Sequence, residues 1–109
     1  MRYMLLICTD PTGEPESEAD VSIDQWVDEL AASGERIVGE RLPAETAKVV
    51  RRRGDRLLIT DGPFAESKEQ IAGFDLIEAE SLERALEIAA RHPMARGGLV
   101  EVRQFYAEE

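Results

Sequence analysis

The residues able to do chemistry in this chain are few, and most of them lie in one stretch. Thr60-Asp61-Gly62-Pro63-Phe64-Ala65-Glu66-Ser67-Lys68-Glu69-Gln70 is the densest run of polar and turn-forming residues between two apolar runs. In it Asp61 offers a carboxylate that can act as a base or hold a polar ligand. Gly62 lets a ligand approach the backbone, Pro63 fixes the loop, and Phe64 can wall an apolar cavity. Ser67, Lys68 and Glu69 follow within reach of one another, and a lysine beside carboxylates can bind an anion or lower a partner's pKa. The same residues also have structural uses: Asp61 before Gly62-Pro63 suits an Asx turn, and charges of both signs suit a solvated loop. His92 is the only histidine, so any imidazole chemistry must use it; at a helix end before Pro93 it also suits the helix dipole.

Other chemistries have no support. One histidine and one cysteine at no ligand spacing do not make a structural zinc site. The glycines form no phosphate loop or dinucleotide fingerprint, and no nucleophile elbow is present, so no cofactor is expected. A net charge of −10, from 13 basic and 23 acidic residues, repels nucleic acid and anionic membranes. No apolar run approaches the ~20 residues that a membrane-spanning helix needs. The opening Met1-Arg2-Tyr3-Met4-Leu5-Leu6-Ile7-Cys8 reads as a first strand, not a signal peptide, because Asp10-Pro11 ends it without a small-residue cleavage site. A cytoplasmic location is the expectation. A length of 109 residues sets one domain with one modest core.

The elements that must position these residues follow from pattern. Tyr3 to Thr9 is a strand with Tyr3, Leu5 and Ile7 on one face and Met4, Leu6 and Cys8 on the other. Apolar residues on both faces require two covering layers. Asp10 to Asp20 is a solvated loop. Ser22 then caps a helix, with Gln25 three residues on completing a capping box, Val21 and Trp26 placed as a hydrophobic staple, and Gly34 as its stop. Ile37–Leu42 is a short strand. Ala47–Arg52 and Arg56–Thr60 flank Gly54-Asp55 as a hairpin with a type II′ turn, whose arginines mark a solvated strand end or an anion-binding patch. Ile71–Ala79 is the next strand. Ser81 caps a second helix that runs to about Arg91 with Leu82, Ala85, Leu86 and Ala89 on one face, and Pro93 stops it. Leu99–Phe105 closes the chain.

The order β-α-β-β-β-β-α-β is a ferredoxin-like α+β sandwich, a βαβ-ββ-βαβ arrangement with both helices on one sheet face. The other face of strand one then needs cover, which a second copy packed sheet against sheet would supply. A homodimer is therefore expected.

The Thr60–Phe74 stretch, Thr60-Asp61-Gly62-Pro63-Phe64-Ala65-Glu66-Ser67-Lys68-Glu69-Gln70-Ile71-Ala72-Gly73-Phe74, resembles the signature of DGPF-domain proteins, a branch of the YCII-related (YciI-like) family. Tyr3-Met4-Leu5-Leu6-Ile7, Gly39-Glu40-Arg41-Leu42, Ala89-Ala90-Arg91-His92-Pro93 and Gly98-Leu99-Val100-Glu101-Val102-Arg103 support the likeness over nearly the whole chain. The resemblance implies a dimeric α+β barrel and lyase-like acid–base chemistry through a histidine on helix one and an aspartate ending strand one. Asp10 matches that aspartate. Trp26 stands where the histidine would be, and an indole has no proton to exchange near neutral pH, so the family dyad cannot operate as drawn. DGPF proteins are often encoded beside extracytoplasmic-function sigma factors, which implies an accessory role instead.

Three functional readings follow. One is a small-molecule binder or enzyme with Asp10, Asp61 and His92 as acid–base groups and Trp26, Gly62, Pro63, Phe64, Ser67 and Lys68 lining its pocket. The second is a module that docks on a protein such as a sigma factor. The third is a structural dimer.

Overall fold

The computed structural model describes residues 1–62 and 70–107. Six strands and three helices run in the order β1 (Arg2–Thr9), α1 (Ile23–Ser33), β2 (Arg36–Arg41), β3 (Lys48–Arg53), β4 (Arg56–Asp61), β5 (Ile71–Glu78), α2 (Leu82–Arg91), α3 (Met94–Gly97) and β6 (Gly98–Gln104). Strands β2, β5, β1 and β6 lie side by side in that order, every neighbour antiparallel, while β3 and β4 form a separate two-stranded sheet. The chain has the expected ferredoxin-like α+β architecture with its central hairpin set apart.

Local chemistry fixes where the elements start and stop. The Ser22 hydroxyl accepts the Gln25 N–H at 3.1 Å, and Gly34, at φ 76°, ends α1 in the left-handed region. The reciprocal half of the capping box is not made, because the Gln25 amide donates forward to Glu29 instead, at 3.2 Å. Ser81 caps α2 through the Arg84 N–H at 3.1 Å. Arg53 and Arg56 pair across the hairpin turn; Gly54 has φ 60° and Asp55 is not left-handed, as a type II′ turn requires.

The core lies between one sheet face and the helices. Tyr3, Leu5 and Ile7 of β1 and Ile77 of β5 meet Trp26 and Leu30 of α1 and Ala85, Ile88 and Ala89 of α2. Helix α2 buries Ala85 and Ala89 as expected, but its inward stripe is shifted: Leu82 and Leu86 are about half exposed, and Ile88 takes the inward place. Pro93 ends α2 and at the same time starts α3, since a proline fits the first turn of a helix as well as it blocks the last. The opposite sheet face carries Met4, Leu6, Phe74, Leu76 and Leu99, all only half-buried. Among the described residues, no helix is long and apolar enough to cross a membrane.

Candidate functional site

An open cleft of about 970 Å³ lies between the helix-side face of the sheet and the start of α1. Ile7, Val21, Ile23, Val27, Pro93 and Met94 give it apolar walls, and Ser22, Arg36, Arg41, Asp75 and His92 are among its polar groups. Two of those polar residues, Asp75 and His92, are buried to within 6% of full enclosure. Buried polar groups cost free energy unless they are satisfied, so the partners of these two bear on the chemistry of the cleft.

Asp75 comes from the middle of β5, opposite Leu5 of β1 on one side and Gly39 of β2 on the other. Its Oδ1 accepts the Arg36 Nε–H at 2.8 Å, from a guanidinium that is itself mostly buried. Gly39 makes that pair possible: a Cβ there would stand 2.0 Å from Asp75 Oδ1 and 2.5 Å from an Arg36 amino nitrogen. No protein donor reaches Asp75 Oδ2 among the described residues, which leaves an acceptor facing the cleft. Burial raises the Asp75 carboxyl above its ordinary value, and the Arg36 hydrogen bond and charge only partly oppose that. A carboxyl so placed can accept a donor from a ligand, or take up and return a proton more readily than a solvated aspartate.

His92 caps the end of α2 and takes the Met94 N–H on Nδ1 at 3.0 Å. Its proton then sits on Nε2, which has no acceptor among the described residues. Burial pushes the imidazole down to about 4, so it is neutral at physiological pH and serves the cleft as an N–H donor. The expected charge–dipole role at this helix end belongs to Arg91, which reaches Glu29 of α1 at 2.8 Å. Trp26 packs edge-on against His92 with ring centroids 4.6 Å apart. Its indole N–H donates to the Ile88 carbonyl at 2.9 Å, a late α2 carbonyl that His92 N–H passes over in favour of Ala89. Where the resemblance places a histidine, the indole therefore ties α1 to α2 and sets the ring that faces the cleft.

The other expected site residues lie elsewhere. Asp10 is held in a turn, its Oδ1 accepting the Thr12 N–H at 2.9 Å and the Thr12 hydroxyl at 2.8 Å, and these bonds lower its carboxyl. Asp61 ends β4 and is paired with Lys48 at the exposed base of the hairpin. Gly62 follows, packed against Ala47 and Val49. Neither Asp10 nor Asp61 lines the cleft. Pro63, Phe64, Ser67 and Lys68 lie outside the described residues. Asp75, Arg36 and Gly39 escaped the sequence reading, although one sign was present: Asp75 shares the inward alternation phase of Ile77.

The loop over the cleft mouth is tied down from α3. Arg96 holds Asp20 at 2.5 and 3.3 Å and approaches Glu14 at 3.6 Å, and the Glu14 N–H donates to the Arg96 carbonyl at 3.0 Å. Asp20 lines the cleft, together with Glu16, Ser17 and Glu18 of the same loop.

An uncharacterised protein of Rhizobium meliloti (strain 1021) is 42% identical to this chain over 52 residues, which is 48% of the chain and 42% of that protein. The match thus spans less than half the length of that relative. The model of the YCII-related domain matches residues 1–108, and the chain belongs to the YCII-related family.

Proposed function

We propose that this protein binds a small molecule in the cleft beneath the start of α1, and that the Asp75 carboxylate anchors it. The observation that carries the reading is a pair of largely enclosed polar residues, each of which opens one unpartnered polar atom to the cleft. Asp75 Oδ2 has no protein donor and His92 Nε2–H has no protein acceptor among the described residues. A ligand with one donor and one acceptor on a largely apolar body would satisfy both and cover the aliphatic walls. Asp75 is also the residue whose environment fits proton exchange with such a ligand, and Arg36 orients its carboxylate. The half-buried apolar face of the sheet supports a second copy packed there, as the two-faced pattern of strand one predicts.

Native mass spectrometry of the freshly purified protein, followed by the same sample denatured, reads subunit number and any retained ligand together. The expected result is a dimer with a discrete extra mass that is lost on denaturation. Fragment screening by ¹H–¹⁵N NMR is the companion test, with Asp75→Asn as the isosteric variant. Fragments are expected to shift the amides of β5 and His92–Met94 in the wild type and to bind at least tenfold more weakly to the variant. A bare mass together with fragments that leave those amides unmoved would overturn the binding reading.

A further inference from the structure

A two-stranded hairpin standing alone in water is marginally stable at best, and β3–β4 has no strand partner in the main sheet. The register sorts its side chains into two faces. Val50 and Ile59 stand directly opposite one another, with Leu57 across from Arg52 on the same face. These three apolar side chains are exposed by 63, 61 and 52%. The hairpin makes extensive contact only within itself among the described residues. The Cα radius of gyration reflects this: it is 16.0 Å, against about 13 Å for a compact chain of this length. The molecule measures 48 × 42 × 19 Å, broad and only about two layers deep.

We infer that the β3–β4 hairpin is an arm that reaches onto a second copy of this chain. It lays Val50, Leu57 and Ile59 on the margin of that copy's open sheet face. The inference rests on the second copy proposed above and adds what secures it. Area supports it: four strands ~4.8 Å apart and about seven residues long offer a face of roughly 400 Å² in projection. That is about half of the ~800 Å² that each partner brings to a stable interface. The arm supplies additional apolar surface. Charge supports it too. Residues 47–61 hold five basic and two acidic side chains, a net +3, in a chain of net −10, so the remainder carries −13. A basic arm is drawn to an acidic second copy, where Glu40 and Glu101 stand on the open face beside Phe74 and Leu6, and the Arg2 and Arg103 side chains of that face lie within reach of Glu78 and Glu101.

The test compares the wild type with Val50→Glu/Ile59→Glu by light scattering after size exclusion and by sedimentation equilibrium, with Trp26 emission as the check on the core. A milder Val50→Ser/Ile59→Ser pair guards against an unfolded arm. The wild type is expected to be a dimer. The glutamate pair is expected to raise its Kd at least 100-fold and the serine pair at least fivefold, with Trp26 emission unchanged. Arg52→Glu/Arg53→Glu is expected to raise Kd tenfold at low salt and less at 0.5 M salt. A dimer whose Kd is unmoved by both apolar pairs overturns the arm and leaves the sheet-face pairing standing. A monomeric wild type overturns both.

Discussion

Protonating His92 should destabilise this protein, and its buried position sets how much. The imidazole titrates at about 4 in the folded chain against 6.5 when solvated, because burial penalises the cation. The unfolded chain therefore takes up the proton first, and stability falls as pH drops from 6.5 towards 4. Linkage over that interval gives a loss of about 2 kcal/mol by pH 5 and about 3 kcal/mol once pH has passed below 4. Asp75 runs the other way. Its raised carboxyl contributes stability below 3.8 that is lost as pH rises through its folded value. Asp10, Asp20, Glu29 and Glu35 are lowered, so they contribute above 3.8 for the aspartates and 4.5 for the glutamates, and lose it as pH falls further.

His92→Asn isolates the histidine, since the amide oxygen can still accept the Met94 N–H. Urea unfolding at fixed protein concentration, followed by circular dichroism at pH 7.5 and pH 5, is the assay. The wild type should lose about 2 kcal/mol more than the variant between those pH values. Trp26, the only tryptophan, adds an independent readout, because an imidazolium at edge contact quenches an excited indole. Its emission should fall with a midpoint near pH 4 while the chain remains folded. Equal pH slopes in wild type and variant, or a His92 resonance titrating near 6.5, would refute the reasoning.

Two further substitutions probe the scaffold of the cleft. Trp26→Phe keeps most of the apolar bulk but leaves the buried Ile88 carbonyl without its indole donor, which should cost about 1–3 kcal/mol by urea denaturation. Gly39→Ala forces a Cβ into the Asp75–Arg36 pair and should cost about 1–3 kcal/mol in the wild type. In an Asp75→Ala background the same change should cost at least 0.5 kcal/mol less, roughly the lower bound for coupled neighbours; strict additivity would show that Gly39 is not there to admit the pair.

The fold was legible because its punctuation is local. Ser22, Ser81, Gly34 and Gly54 each act within a few residues of their own position, so a single stretch of sequence contains the whole cause. Helix α2 shows where that stops. Leu82 and Leu86 are more apolar than Ala85, and hydrophobicity alone turns them inward. The helix instead buries the stripe Ala85-Ile88-Ala89, because small side chains let it approach the sheet while Leu82 and Leu86 fall at its margin. What lies under a helix is decided by the surface it meets, which no local pattern contains.

The site was less legible for the same reason. The polar loop after Thr60 drew attention by composition, yet the polar groups enclosed in the cleft came from an apolar strand and a helix end. Ile71-Ala72-Gly73-Phe74-Asp75-Leu76-Ile77 reads as a strand with one stray acid. The acid is tolerable only because β2 lies alongside in one register, with a glycine directly opposite and an arginine three residues before it. Shifting β2 by one residue would put a side chain into the carboxylate and turn Arg36 to the other face. Asp75, Gly39 and Arg36 are thus one feature that depends on sheet register. Their joint dependence also supports the proposed anchoring role of Asp75. An apolar residue in its place would remove the need for both partners, and the cleft keeps all three.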